Sequence, residues 1–86
     1  MVRKMNEVFL IGKIISNIDF KFIINSKNVS IVKFQIKTFD DQVINIFALN
    51  DIADLCYRML YTNNIIVIRG KLREVIVEIK DIELIV

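Results

Sequence analysis

Two short frames decide how this chain reads: Leu10-Ile11-Gly12-Lys13-Ile14 near its start and Ile68-Arg69-Gly70-Lys71-Leu72 near its end. They hold the only two glycines among 86 residues, and each lies inside an apolar run rich in β-branched side chains. Such a run reads as a strand, and a glycine within it marks a bulge, a tight bend or a close approach of two backbones. One frame precedes and the other follows a single helical stretch. Together they imply a small sheet curled hard enough to close, an architecture that includes a class of nucleic-acid binders.

Working outward, residues 7–15 read as a first strand. Residues 16–28 read as a loop, with Ser16, Asn17, Asp19, Asn25, Ser26 and Asn28 as turn formers around Phe20-Lys21-Phe22. Residues 29–39 alternate, with Val32, Phe34 and Ile36 on one side and Ile31, Lys33, Gln35, Lys37 and Phe39 on the other. Asp40-Asp41 turns the chain into a third strand, 42–49, where Ile44, Ile46 and Ala48 oppose Val43, Asn45, Phe47 and Leu49. Asn50 or Asp51 is placed to cap a helix running to about Tyr61, whose apolar stripe is Ile52, Leu55, Cys56, Met59 and Leu60. Residues 65–73 and 75–85 read as the last two strands, joined by a turn at about Arg73-Glu74. The apolar phase jumps at Lys80-Asp81, as a bulge would make it do. The predicted order is β-β-β-α-β-β: an all-β chain with one helix, forming a five-stranded OB-fold barrel. An SH3-like barrel is disfavoured by the helix between strands three and four.

Composition sets the boundaries. Residues 1–86 form one domain, short for a chain without staples. A single cysteine, Cys56, excludes an internal disulfide, and with no histidine there is no zinc site of the usual kind. No apolar run reaches the roughly 18 residues of a membrane span, and no signal-peptide pattern opens the chain, so a cytoplasmic protein is expected. The 55% apolar content is high for this size and favours an oligomer. Net charge is only +2, but it is segregated: residues 1–37 carry seven Lys/Arg against two acids, and residues 58–73 carry four bases and no acid. That pattern suits a basic face with a neutral or acidic back. No constellation of catalytic residues is present and no cofactor is implied, so an enzyme is not expected.

Gly12-Lys13-Ile14 followed by Asn17-Ile18-Asp19-Phe20-Lys21-Phe22 is similar to the opening of bacterial single-stranded DNA-binding proteins. Ile31-Val32-Lys33-Phe34-Gln35-Ile36 resembles their second strand and Ile44-Asn45-Ile46-Phe47-Ala48-Leu49 their third. Ile52-Ala53-Asp54 through Leu60 resembles their helix, and Ile68-Arg69-Gly70-Lys71-Leu72 their fourth strand. The resemblance runs from Met5 onward. It lacks the family's tryptophans, its long hairpins and its acidic-tipped tail, which brings it near the short, primosomal PriB-like OB domains. Leu49 stands where the family commonly has a phenylalanine, and Phe47 on the same face is a substitute.

The resemblance implies sequence-independent binding of single-stranded DNA, with bases stacked on aromatics and Lys/Arg following phosphates. The residues it points to are Lys13, Phe20, Lys21, Phe22, Lys33, Gln35, Lys37, Phe39, Phe47, Arg69, Lys71 and Arg73. Phe20 and Phe22 could equally close the barrel end, and Phe47 could equally sit under the helix or in a subunit interface. RNA stays open as a ligand, since stacking platforms read both. The family's assembly implies a homodimer or homotetramer through first-strand pairing, acting in replication, recombination, repair or mobile-element maintenance, with replication or primosome proteins as partners and no membrane. The alternative is a protein-interaction or primosome-type scaffold domain with little nucleic-acid binding.

Overall fold

The computed structural model describes residues 6–24 and 27–86, so the expected turn residues Asn25 and Ser26 lie outside the described residues, as does Met5. Six strands and one helix follow in the order β1 (Val8–Ile14), β2 (Asp19–Ile23), β3 (Val29–Thr38), β4 (Val43–Leu49), α1 (Asn50–Met59), β5 (Ile65–Arg73) and β6 (Ile76–Leu84). The circuit β1-β5-β6-β4-β3 returns to β1, so five strands close a barrel of the expected OB type. All pairings are antiparallel except β4 with β6.

The stretch expected to be a loop corrects the element count. Asp19–Ile23 pairs with the first half of β3, while β1 pairs with the last residues of the same strand, so β1 and β2 lie end to end along one edge of β3. Between Ile14↔Ile36 and Asp19↔Lys33, residues 15–18 face only Phe34 and Gln35. This excess is held by Ser16, whose hydroxyl accepts the Gln35 N–H at 2.8 Å, while Ile15 N–H reaches Gln35 O at 2.9 Å. The serine takes the place of a backbone acceptor that the bulged chain no longer supplies.

The expected alternation holds where one face is dry. Val32, Phe34, Ile36, Ile46 and Ala48 point inward to meet Ile14, Ile66, Ile68, Val77 and Ile79. The helix plugs the barrel end, but neither Asn50 nor Asp51 caps it. Its N-cap is Leu49, with no side-chain hydrogen bond, because β4 runs into the helix without a loop. Four of the five expected stripe residues face the core: Cys56 and Leu60 are buried and Ile52 and Met59 pack against it. Leu55 is turned out, and Ala53, outside the expected stripe, is fully buried. Burial pushes the Cys56 thiol up to about 11, leaving it inert at neutral pH.

The phase jump in β6 is a bulge. Arg69 pairs with Asp81 and Gly70 with Ile79, so Lys80 has no partner on β5. Gly70 sits against this point, and a Cβ added there would collide with the Glu78 carbonyl oxygen. Gly12 pairs with Ile66 on one side and Thr38 on the other, where β1 passes between β5 and β3. Neither glycine has a positive φ, so no special conformation calls for it; at Gly70 the close approach of the neighbouring backbone excludes a side chain.

Glu74, by contrast, stands at φ 58 as the first residue of the two-residue turn between Arg73 and Ile76. A left-handed conformation suits glycine and strains a longer residue. Glu74→Gly is expected to raise stability by about 0.5–1 kcal/mol. A thermal melt would show this as a gain of roughly 2–8 °C; an unchanged or lower midpoint would contradict it.

Candidate nucleic-acid interface

Residues opposite each other in neighbouring strands share a face, so the register fixes which side chains stand together outside the barrel. One outward row reads Asp19, Lys33, Phe47, Glu78, Lys71 across β2, β3, β4, β6 and β5. The next reads Gln35, Asn45, Ile76, Arg73 across β3, β4, β6 and β5. Over these rows lies a groove of about 550 Å³ lined by Ser16, Asn17, Asp19, Lys33, Gln35, Asn45, Val75 and Ile76. A second hollow of about 290 Å³, lined by Ile31, Lys33, Phe47, Leu49 and Ile76, shares Lys33 and Ile76 with it and extends it along the sheet. The bulged segment 15–18 forms one wall and the turn at Glu74–Val75 the other. In OB folds this strand face, between loops of these two kinds, is the ligand side.

Its chemistry is mixed. Phe47 is half-buried and presents a ring on the outer face, and Lys33 beside it is exposed. Gln35 Nε2 donates to Asn45 Oδ1 at 2.9 Å, which fixes the two amides and leaves further donors and acceptors at the groove floor. Among the described residues, Lys13, Lys21, Lys33 and Lys71 have no ion-pair partner. Lys37 lies 3.5 Å from Asp41 and Arg69 4.0 Å from Asp81, both exposed pairs of little net strength. Arg73 is held differently: its Nε donates to Glu78 Oε1 at 3.0 Å.

The structure thus gathers Lys33, Gln35, Phe47, Lys71 and Arg73 of the expected residues around one groove. Lys21 joins the row through Ile31 and Leu49. Lys13 and Lys37 pair directly, and with the exposed Phe39 they line a separate hollow of about 250 Å³ at the β3–β4 turn. Arg69 stands apart on another wall, beside Phe9 and Asp81. Phe20 faces the same side as the buried Val32, packs on the core and stacks on Tyr57 of the helix with ring centroids 4.5 Å apart. That is the barrel-closing alternative for Phe20; Phe22, opposite Ser30, is half exposed at the strand's end.

Ser16, Asn45, Ile76 and Glu78 also belong to this face, though they are not among the expected residues. Asn45 shares the polar phase of Phe47, and Glu78 is an acid inside the apolar run Val75-Ile76-Val77-Glu78-Ile79, so both carried a signal. Ser16 and Ile76 needed the bulge and the strand register. No helix is long and apolar enough to cross a membrane, and no metal-binding cluster occurs among the described residues.

No protein-family model and no curated protein matches the sequence. Solved structures match the fold. The SSB domain of a Synechococcus sp. protein superposes with a TM-score of 0.79 at 12% identity, covering 96% of this chain and 99% of that one. The wild-type single-stranded DNA binding protein of Thermus aquaticus gives 0.80 at 19% identity over 99% of this chain. A deletion mutant of the same Thermus protein gives 0.81 at 19% identity over the whole chain. This chain spans about half the length of the Thermus proteins, 52% and 53% of them.

Proposed function

We propose that the outer face of β3 and β4 binds single-stranded nucleic acid, with DNA as the first candidate. The observation that carries this reading is the row in which Phe47 stands directly beside the unpaired Lys33, within an open groove between two loops. A ring next to a mobile cation offers one base a stacking surface and its phosphate a counter-charge. Neither depends on base identity, so binding is sequence-tolerant. Lys71 and Lys21 extend the basic track on either side, and Gln35 and Asn45 offer polar contacts to a base edge. Lys13, Lys37 and Phe39 form a second contact point at the β3–β4 turn. The likeness to single-stranded DNA-binding proteins supports the reading through the fold they share.

Assembly through the first strand fits the same picture. β3 covers β1 only at Gly12–Ile14, so the edge of Val8–Ile11 that faces away from β5 has no strand partner among the described residues. Pairing with a second copy would cover it. A role in replication, recombination, repair or mobile-element maintenance accords with the proposed ligand.

Fluorescence anisotropy with labelled oligo-dT tests the proposal. Each phosphate neutralised contributes a slope of about −0.7 in log K against log salt, so three or four lysine contacts predict a roughly 20- to 50-fold loss between 50 and 200 mM salt. Binding weaker than about 100 μM at 50 mM salt, or equal preference for duplex, would overturn the reading.

A further inference from the structure

Glu78 is the only buried charged side chain among the described residues, 9% exposed although it belongs to the outward row beside Phe47. Both of its oxygens are occupied by cations. Oε1 accepts from Arg73 Nε at 3.0 Å, and Oε2 accepts from Lys80 Nζ at 2.8 Å. Lys80 is the bulged residue, two positions beyond Glu78 along β6. The Lys80 hydrogen bond holds the carboxyl below the ordinary glutamate value; burial opposes this and the Arg73 bond adds to it.

This arrangement differs in kind from the other ion pairs. The acid sets it apart: Asp41 and Asp81 are exposed, so their pairs are screened by salt, whereas Arg73 and Lys80, about as exposed as Lys37 and Arg69, share one buried carboxylate. Glu78 is desolvated, makes two charge-assisted hydrogen bonds, and is tethered to the same sheet as its partners. A phosphate approaching the groove rim would have to displace an acceptor that is always present.

We propose that Glu78 serves as an internal stand-in for a phosphate: it holds Arg73 and Lys80 closed against nucleic acid and thereby limits the affinity and salt dependence of the groove. This rests on the nucleic-acid reading given above. Glu78 neutralises one of the two positive charges, and its hydrogen bonds fix the direction of both donors. The basic block Arg69-Gly70-Lys71-Leu72-Arg73 therefore presents fewer working cations than its sequence displays.

The test is an oligo-dT titration by anisotropy on the full chain at several salt concentrations, with circular dichroism as the check on folding. Glu78→Gln keeps the shape and removes the charge. It is expected to bind more tightly and to steepen the log K–log salt slope by up to about 1.4, an additional loss of roughly sevenfold between 50 and 200 mM salt. Lys80→Gln in the otherwise native chain leaves the slope unchanged. In the Glu78→Gln background, Lys80→Gln removes about half of the gain. An unchanged slope in folded Glu78→Gln overturns the inference, as does a shallower slope from Lys80→Gln alone. The Lys80→Gln variant in the native background decides the question if Glu78→Gln does not fold. Binding by the native chain with no effect of Glu78 defeats only this inference. Binding by Glu78→Gln alone supports it, and binding by neither protein defeats the nucleic-acid reading and this inference together.

Discussion

Gly70→Ala is expected to cost about 3 kcal/mol of stability, at the upper end for overpacking a tight site. The added methyl group would meet the Glu78 carbonyl oxygen and carbon, which are ladder atoms on the neighbouring strand and not the movable end of a side chain. Relief requires β5 and β6 to separate where Lys80 already interrupts their pairing, next to the parallel contact that joins β6 to β4. The melting temperature should fall by roughly 12–24 °C for a domain of this size. Gly12→Ala provides the control. There the nearest atoms are Lys37 O at 3.0 Å and Ile36 Cδ1 at 3.1 Å, contacts that need a shift of only a few tenths of an ångström. Its cost should be nearer 1 kcal/mol. Equal losses for the two alanines would show that the bulge does not decide the requirement for glycine.

Phe47→Ala is expected to weaken oligo-dT binding by about 1–3 kcal/mol, the measured worth of one stacked base, or roughly 5- to 150-fold. The side chain lies outside the barrel, between Lys33 and Glu78 in the cross-strand row, while its neighbours Ile46 and Ala48 carry the packing. Truncation should therefore leave the circular dichroism spectrum intact and the salt slope unchanged, because no cation is removed. Affinity and slope separate the two contributions: a ring acts on the first alone, a lysine on both. If Phe47→Ala binds as tightly as the native chain, the groove over β3 and β4 is not where bases stack.

The parts of this architecture visible in the sequence are those in which one physical demand acts alone. β3 and β4 alternate because one face is dry, and their inward residues follow from period alone. The bulge showed itself because Val77 and Ile79 fall out of phase with Ile82. β2 did not, because two demands collide there. Asp19 and Lys21 face outward and the surrounding turn formers dominate its pattern, whereas its strand character comes from pairing with the extended first half of β3. The helix stripe follows its period at Ile52, Cys56, Met59 and Leu60 and departs from it at one place, where the small Ala53 is buried and the more hydrophobic Leu55 is turned out. The candidate site was legible as a set of residue types but not as a working set of charges. Which basic residues are already held depends on strand register, which brings Arg73 to Glu78 and leaves Lys33 open.

The pairing of Val8 with Gly70 joins positions 62 residues apart. During synthesis at roughly 5–20 residues per second, the first strand therefore waits on the order of 3–12 s for its partner to be made. β3 and β4 can form their hairpin in that interval, since a short turn joins them. β1 has only Gly12–Ile14 to hold it there, with Phe9 and Ile11 outward. Barrel closure is consequently a late event dominated by non-local contacts, and folding should be slow for so small a chain, in the range of milliseconds to seconds. The same strand whose free edge is proposed to recruit a second copy is thus the one left longest without a partner of its own.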